Sequence, residues 1–170
     1  MGPVEKTKLD GVLRIVPPTI FEDFRGFYIE IYNENLYREI CGGVHFVQDD
    51  ISISSRHVLR GIHGDHHTCK LISCLLGKLY LVVVDWNKAS PQFRAWESFT
   101  LSAENHLQIL VPPGFGVGHL VLSERAIFHY KQSSYYDRSS QFTLPWNDPQ
   151  LNIWWPIQNP IVSRRDQGMG

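Results

Sequence analysis

The sequence has few cysteines and no excess of charge of either sign. Only three cysteines occur in 170 residues, and no two are spaced as a CxxC pair. We therefore expect free thiols in a reducing compartment rather than a disulfide framework. The 16 basic and 17 acidic residues nearly balance, which disfavours nucleic acid or an anionic membrane as the main partner.

Apolar segments that would direct the chain to a membrane are also missing. No stretch approaches the roughly 20 apolar residues that cross a bilayer. The first residues, MGPVEKTKLDG, lack the apolar core of a secretory signal. These absences predict a cytoplasmic protein, and the chain length predicts one domain that spans residues 1–170.

Short segments rich in β-branched and aromatic residues recur between turn residues. They include GFYIEIY, FVQDDISIS, KLISCLLGKLYLVVVD and AIFHYKQSSYY. Several alternate apolar with polar residues, which is the period of a half-buried strand. Helical patterns are scarce: NENLYREICGG predicts one short helix, and SAEN a second. The sequence therefore predicts an all-β antiparallel sandwich or barrel.

The segment VLRGIHGDHHTCKL (58–71) concentrates titratable side chains between apolar residues and predicts a functional site. Metal binding is one interpretation, since β-barrels of the cupin type hold metals with a His-x-His pair and a glutamate shortly after it. Here Asp65 replaces the second histidine, and Lys70 replaces the glutamate with an ammonium that has no lone pair to donate. Neighbouring strand residues face opposite sides, so we expect His66 and His67 to be surface loop residues.

Proton abstraction is the other interpretation of the same segment. Histidine is a suitable base for removing a proton beside a carbonyl, and a lysine can stabilise the resulting oxyanion. His63 and Lys70 are seven residues apart, which does not fit one flat strand. A loop or bulge between them would have to turn both side chains inward.

Fourteen short motifs follow one another in order between residues 21 and 166. They are FEDFRGFYIE, FVQDDIS, VLRGIH, KL at 70–71, VVVD, SP, LSAEN, PPGFGVGH, LSE, YK, YY, WNDP, WP and SRRD. In this order and spacing, the chain resembles the dTDP-4-dehydrorhamnose 3,5-epimerase family. The resemblance implies a cupin-type jelly roll without metal or cofactor. It also implies a homodimer, with early strands pairing across subunits, that epimerises a nucleotide-linked 4-keto sugar at C3, C5 or both.

The resemblance also implies roles for individual residues. His63 would be the general base, Asp166 of SRRD would orient it, and Lys70 would stabilise the enolate oxygen. Tyr130 would donate a proton on the opposite face of the sugar, as inversion requires. The implied substrate-binding residues are Arg25 and Arg60 at the pyrophosphate, Gln48 at the sugar, and Tyr135 and Tyr136 beside the nucleotide, with Glu30 and His119 as further positions.

Two local features depart from the rhamnose enzymes. LRGIHGD stands in place of LRGLHFQ and, together with GHLVLS and SRRD, resembles epimerases of GDP-linked 6-deoxy-heptoses. Family members that perform both epimerisations commonly read GFAHGF, and Val117 occupies the position of the active-site histidine of that motif. His119 lies two residues further on and would share a strand face with Val117. It would therefore either look into the same cavity or pack at its wall.

Two other functions stay open on the sequence alone. A metal-dependent cupin enzyme would use His63, His66 and His119. A sugar-nucleotide binding module would keep the pocket without turnover.

Overall fold

The computed structural model describes residues 4–168, which form mainly antiparallel strands. The strands are β1 (Val4–Lys6), β2 (Leu13–Ile15), β3 (Thr19–Asp23), β4 (Gly26–Glu30), β5 (Gln48–Ser55), β6 (Leu59–Gly64), β7 (Lys70–Leu76), β8 (Lys78–Asp85), β9 (Trp96–Ser102), β10 (Gln108–Val111), β11 (Phe115–Val121), β12 (Arg125–Gln132) and β13 (Phe142–Thr143). Helix α1 covers Glu34–Ile40, and a 3-10 turn covers Arg138–Ser140.

The strands form two main sheets and a separate hairpin. One sheet has the order β1-β2-β10-β7-β12-β5, the other has the order β13-β6-β11-β8-β9, and β3 pairs with β4 alone. Apart from β1–β2 and β8–β9, neighbouring strands in the two sheets are not consecutive in sequence, as β2 and β10 are not, so the chain crosses repeatedly between the layers. The fold is a cupin-type jelly roll, and the prediction of an all-β class is confirmed.

Apolar side chains form three clusters, one between the sheets and one outside each of them. The inner cluster includes Ile72, Leu81, Ile109 and Phe128. Outside the five-stranded sheet, segments that follow β13 cover Leu59, Ile62, Tyr80, Val82, Val84 and Leu120. Outside the six-stranded sheet, α1 and its flanking residues cover Ile15, Leu71 and Leu110. Each sheet is therefore buried on both faces over much of its area.

One of the two predicted helices is present. Helix α1 begins after Asn33, whose Oδ1 accepts the backbone N–H of Asn35 at 3.1 Å, and it ends at Cys41 before two glycines. The prediction of a helix over SAEN was wrong, because this segment is a turn. There Oδ1 of Asn105 accepts the backbone N–H of Ser102 at 3.0 Å, a local bond that competes with helix formation.

The three thiols of Cys41, Cys69 and Cys74 are buried and unpaired, as predicted. Burial raises the pKa of each of them, to about 11 for Cys41 and Cys74 and to about 12 for Cys69. Within residues 4–168, no helix is long and apolar enough to cross a membrane.

Candidate active site

A cavity of about 760 Å³ lies between the inner faces of the two sheets. This volume is within the range typical of small-molecule sites. Of the eleven site residues predicted from the sequence, eight line it: Gln48, Arg60, His63, Lys70, His119, Tyr130, Tyr136 and Asp166. The fold thus collects residues that are up to 118 positions apart in the sequence.

Alternate residues of the edge strand β5 form one wall of this cavity. Gln48, Asp50 and Ser52 line it, and Ser54 is the next residue on the same face; Ile51 of the opposite face also borders it. Strand β12 pairs with β5, and Tyr130 lies opposite Asp50 in this register. The period of two along a strand places every second residue of β5 on the cavity side.

His63 and Asp166 form the central contact of the site. Nε2 of His63 lies 2.6 Å from Oδ1 of Asp166, and the backbone N–H of Gly61 donates to Oδ2 at 3.3 Å. The backbone N–H of Asp166 itself donates to Oγ of Ser163 at 3.2 Å. The segment after Ile161 is thereby joined to strand β6, and the imidazole is held in one orientation.

The carboxyl group of Asp166 is buried yet ionised. Burial acts to raise its pKa, but the hydrogen bond and charge of His63, with the Gly61 N–H and the Ser163 hydroxyl, bring the pKa below its ordinary value. An ionised carboxylate only accepts hydrogen bonds, so Nε2 of His63 carries the proton of this pair. Nδ1 is then the ring nitrogen with the lone pair, which suits it to accept a proton.

Lys70 projects into the cavity from the opposite sheet. His63 lies one residue before the end of β6, and Lys70 is the first residue of β7; both line the cavity. Residues 65–69 between the two strands form the predicted loop. Asp65 stabilises this loop, because its Oδ1 accepts the backbone N–H groups of His67 and Thr68 at 2.8 and 2.6 Å. Burial lowers the pKa of the Lys70 ammonium, and the Asp65 carboxylate partly opposes that shift.

Tyr130 also reaches the cavity from the six-stranded sheet. Its ring packs against Phe128, with the centroids 5.3 Å apart. Burial, with smaller contributions from Asp50 and Tyr136, raises the pKa of Tyr130 to about 12. The phenol is therefore protonated near neutral pH and can act as a proton donor.

His119 faces the same cavity as Val117, as its spacing on β11 allowed. Its ring stacks on Phe128 with the centroids 4.0 Å apart and the planes at 12°. Burial, together with Arg60 and His63, lowers the pKa of His119 to about 3. Within the described residues, its buried Nε2 has no hydrogen-bond partner. His119 is therefore a neutral histidine that packs against an aromatic ring.

Two guanidinium groups add positive charge to the cavity. Nε of Arg60 donates to Oγ of Ser54 at 3.0 Å, and Nη2 of Arg165 donates to Oγ1 of Thr143 at 3.0 Å. A guanidinium can make paired hydrogen bonds to phosphate oxygens. With the Lys70 ammonium, these groups make the cavity suitable for an anionic ligand.

Three predicted contact residues do not line the cavity of this chain. Arg25 and Glu30 lie on the β3–β4 hairpin, which pairs with neither sheet, and Arg25 instead pairs with Asp23 (Nε to Oδ1 3.1 Å). Tyr135 is 77% exposed, while its neighbour Tyr136 lines the cavity. Within one chain, these three side chains are therefore separated from the other site residues. Arg25 and Glu30 belong to a hairpin outside both sheets, and Tyr135 does not line the cavity although Tyr136 does.

Several residues that line the cavity were not predicted from the sequence. They are Asp50, Phe128, Gln132, Gln141 and Arg165. Strand alternation would have found two of them, because Asp50 is two residues after Gln48 and Gln132 is two residues after Tyr130. Arg165 is next to Asp166 in the sequence, but no periodicity of the sequence predicts that the loop containing it lies against β13.

The histidines of the metal hypothesis are not brought together. His66 and His67 are exposed, as predicted, and His66 packs on Phe142 with ring centroids 5.4 Å apart. Only His63 and His119 of the proposed set line the cavity. Across residues 4–168, no group of three or more His, Cys, Asp or Glu side chains is placed to hold a metal ion.

Known proteins resemble this chain over almost its whole length. A family model described as dTDP-4-dehydrorhamnose 3,5-epimerase matches residues 6–170. The dTDP-4-dehydrorhamnose 3,5-epimerase of Salmonella typhimurium is 44% identical over 168 residues, covering 96% of this chain and 91% of the relative.

Two solved structures show the same fold. The dTDP-6-deoxy-D-glucose-3,5-epimerase RmlC of Legionella pneumophila, in complex with dTDP-4-keto-L-rhamnose, has a TM-score of 0.93 at 38% identity, covering 99% of this chain and 91% of that one. ChmJ, a 3'-monoepimerase of Streptomyces bikiniensis in complex with dTDP-quinovose, has a TM-score of 0.89 at 30% identity, covering 99% and 85%.

These relatives are named for dTDP-linked sugars, so the predicted GDP-heptose subtype stays a prediction. The family itself is clear from the match to residues 6–170, the sequence identity and the shared fold. The chain belongs to the dTDP-4-dehydrorhamnose 3,5-epimerase family and is a carbohydrate epimerase, an isomerase.

Proposed function

We propose that this protein inverts C3, C5 or both in a dTDP-linked 4-keto-6-deoxy sugar, as a step of deoxysugar biosynthesis. One observation carries the proposal: His63, bonded to Asp166, enters the cavity from one sheet, and Lys70 and Tyr130 enter it from the other. Inversion removes a proton from one face of a carbon and returns one to the other face. Groups on two opposing layers suit that requirement.

His63 begins the reaction by taking the proton alpha to the C4 ketone. The electron pair of the broken C–H bond forms a C=C bond, and the carbonyl pair moves onto oxygen to give an enolate. Nδ1 of His63 receives the proton, because Nε2–H is bonded to Asp166. The charge of Asp166 stabilises the imidazolium that results, as a buried carboxylate does for a catalytic imidazole.

Lys70 and Tyr130 complete the exchange. The Lys70 ammonium stabilises the negative charge that develops on the enolate oxygen. Tyr130 then gives its phenolic proton to the carbon on the other face. Solvent restores both groups, because water takes the proton from Nδ1 of His63 and returns a proton to the phenolate. The ketone is the electron sink, so this route uses only groups of the protein and solvent.

His63 serves as the base at each carbon that is inverted. The neutral His119, with its pKa lowered to about 3, is too weak a base to share this task at neutral pH. Val117 pairs with His63 across β11 and β6 and contributes no titratable group. The position of solvent-derived hydrogen in the product shows which carbons are deprotonated, and the configuration of the product at C3 and C5 shows which of them are inverted.

Solvent exchange tests the proposal. Protein incubated in heavy water with dTDP-4-keto-6-deoxyglucose should incorporate deuterium at C3, C5 or both, as followed by NMR. His63→Asn should abolish incorporation, whereas His66→Asn, a change at an exposed histidine of the same segment, should not. Binding of the sugar nucleotide without any wild-type exchange would instead support a non-catalytic binding module.

The same assay separates the two proton-transfer groups and the two nucleotides. Tyr130→Phe should reduce formation of inverted product more than it reduces deuterium incorporation. A panel of dTDP- and GDP-linked 4-keto sugars, with a 6-deoxy-heptose among them, tests the nucleotide. Faster exchange with the GDP-linked heptose would replace the dTDP proposal with the subtype suggested by LRGIHGD.

We also propose that the protein is a homodimer. The β3–β4 hairpin exposes Phe21, Phe24, Phe27 and Tyr28, and the edge strand β5 exposes Ile53 on its outer face. Exposed apolar side chains and an open sheet edge both favour association with a second copy. Pairing of the hairpin across subunits would place Arg25 and Glu30 beside a cavity other than that of their own chain.

A further inference from the structure

Asp65 is a buried carboxylate on the loop that joins strands β6 and β7. It is 4% exposed and lies between His63 and Lys70 in the sequence. It does not line the cavity, and the mechanism gives it no task. An isolated carboxylate is costly to bury, so its side chain must find bonds that compensate for lost water.

Neutral donors supply those bonds. Oδ1 of Asp65 accepts the backbone N–H groups of His67 and Thr68 at 2.8 and 2.6 Å, and Oδ2 accepts Nε2–H of Gln141 at 2.8 Å. The backbone carbonyl of Asp65 accepts the N–H of Gly114, the residue before β11, at 2.7 Å. Bonds to amide groups fix a carboxylate without cancelling its charge. The loop is therefore fastened at one charged residue.

The charge of Asp65 acts on Lys70. Burial acts to raise the pKa of Asp65, but the backbone N–H groups of His67 and Thr68, the Thr68 side chain and the Gln141 amide bring that pKa below its ordinary value. Burial lowers the pKa of the Lys70 ammonium, and the Asp65 carboxylate is the charge that opposes this shift. Such an interaction is stronger in a dry interior than in water.

Within residues 4–168, no second carboxylate supports the charge of Lys70 in this way. On the strands that pair with β7, Lys70 lies opposite the neutral Val111 and Gln132. The other titratable groups that line the cavity are Asp50, Arg60, His63, His119, Tyr130, Tyr136, Arg165 and Asp166. Both carboxylates among them already accept bonds from other side chains. On the outer face of the same sheet lie Asp49, His129, Lys131 and the buried thiol of Cys69.

Resting on the proposed function, we propose that Asp65 is a positioning residue that orients the loop presenting Lys70 and keeps this side chain an ammonium without bonding to it. A direct ion pair would hold N–H groups of the ammonium away from the substrate. A carboxylate that is bonded only to neutral groups supports the charge and leaves those N–H groups to the enolate oxygen. The activity at alkaline pH therefore depends on residue 65.

The test is the pH dependence of kcat in Asp65→Asn, with the rate in the absence of protein subtracted. The amide keeps an acceptor for the loop N–H groups but removes the charge. The fall in kcat on the alkaline side, where Lys70 loses its proton, should therefore begin at a lower pH than in the wild type. Lys70→Met should lower kcat about 10²-fold and lack this alkaline fall.

Titration of Tyr130 is separate from this effect. Burial, with smaller contributions from Asp50 and Tyr136, raises its pKa to about 12, whereas burial lowers the pKa of Lys70 from its ordinary 10.5. The first loss of activity on the alkaline side is therefore that of Lys70.

Asp85→Asn is the matched control. Asp85 is similarly buried (2%), lies outside the cavity lining, and accepts the backbone N–H of Asn87 in the loop after β8 at 2.9 Å. This variant also removes a buried, loop-binding carboxylate, but its alkaline fall should begin at the wild-type pH.

Exchanging the two bonded side chains gives a second arm. Asp65→Asn combined with Gln141→Glu keeps an amide bonded to a carboxylate and returns the charge, so the alkaline fall should move back toward its wild-type position. Asp65→Ser is a second neutral variant, since a serine hydroxyl also accepts loop N–H groups. It replaces Asp65→Asn if that variant does not fold.

An equal loss of kcat at every pH in the neutral variants would mean a structural role alone and would overturn the proposal. So would an alkaline fall that persists in Lys70→Met. Both results leave the proposed function standing. No deuterium exchange by the wild type with the parent sugar overturns the proposed function as well.

Discussion

The bond between His63 and Asp166 determines which nitrogen of the imidazole is free to act as a base. Nε2 is occupied at 2.6 Å, and the ionised state of Asp166 makes that nitrogen the donor. The carboxylate thus has three effects: it orients the ring, selects the tautomer and stabilises the imidazolium. An amide in its place keeps the shape of the group but loses its charge.

Asp166→Asn should therefore lower kcat by about 10²-fold or more, the size of a general-base contribution, with a smaller effect on KM. Asp137→Asn is the control, because it removes an exposed carboxylate whose pKa is also lowered by hydrogen bonds. Steady-state kinetics at neutral pH would measure both. A wild-type kcat in Asp166→Asn would contradict the role assigned to this carboxylate.

The same carboxylate makes stability depend on pH. The folded-state pKa of Asp166 is lower than its ordinary value of 3.8. Its contribution to the free energy of unfolding is therefore present above that value and is lost as the pH falls through the lowered folded pKa. In Asp166→Asn this part of the acid sensitivity should be absent from urea unfolding curves.

The site residues differ in how far the sequence predicts them. His63 and Asp166 are 103 residues apart, so no local period relates them, and only the resemblance to a family predicted that they act together. Asp50 is different, because the alternation of β5 predicts its orientation once Gln48 is taken as inward. Arg25 could not be located from sequence at all, since the direction of a detached hairpin depends on tertiary packing.

Among the elements, the contact of β6 with β11 controls where His63 and Arg60 point. Gly61 lies between these two residues with φ +110°, and a Cβ there would be 2.5 Å from the carbonyl oxygen of Val117 and 2.7 Å from Cα of Gly118. Both β11 atoms belong to the backbone, so they cannot rotate away. Only glycine allows the two strands to approach so closely.

Gly61→Ala should consequently be more harmful than Gly26→Ala. Both glycines have φ +110°, but a Cβ at Gly26 meets no atom within 4 Å. Both variants incur the strain of a positive φ, about 1–2 kcal/mol, and Gly61→Ala should lose roughly a further 1–3 kcal/mol to overpacking. Urea unfolding gives both values, and equal losses would show that close packing at Gly61 is unimportant.

The element boundaries show the limit of local patterns. The alternation in AIFHYKQ predicted strand β12, because its two faces meet different surroundings: Phe128 and Tyr130 face the cavity, and Lys131 pairs outward with Asp49. SAEN contains good helix formers, yet Asn105 bonds the nearby backbone and makes a turn. Four residues are too few for propensity to outweigh such a bond.

At the scale of the whole molecule, the apolar surface of the hairpin and of β5 predicts association. Ile53 is 51% exposed and does not line the cavity. Ile53→Lys should shift the protein from dimer to monomer in sedimentation velocity, because a buried lysine without a partner opposes the interface. Trp154→Lys changes a larger exposed apolar side chain (63%) outside the five-stranded sheet and should leave the dimer intact.

A monomeric wild type would contradict this prediction. Unchanged sedimentation of Ile53→Lys would place the interface elsewhere on the surface.

The placement of the reacting groups on two layers has a further consequence for how the rate can be altered. The base and the phenol belong to different sheets, and interior side chains such as Leu81 and Ile109 pack between those sheets. Leu81 and Ile109 do not themselves line the cavity, so substituting them changes the packing between the layers while the lining residues keep their identity. We therefore expect turnover to respond to substitutions in the interior, at positions outside the cavity lining.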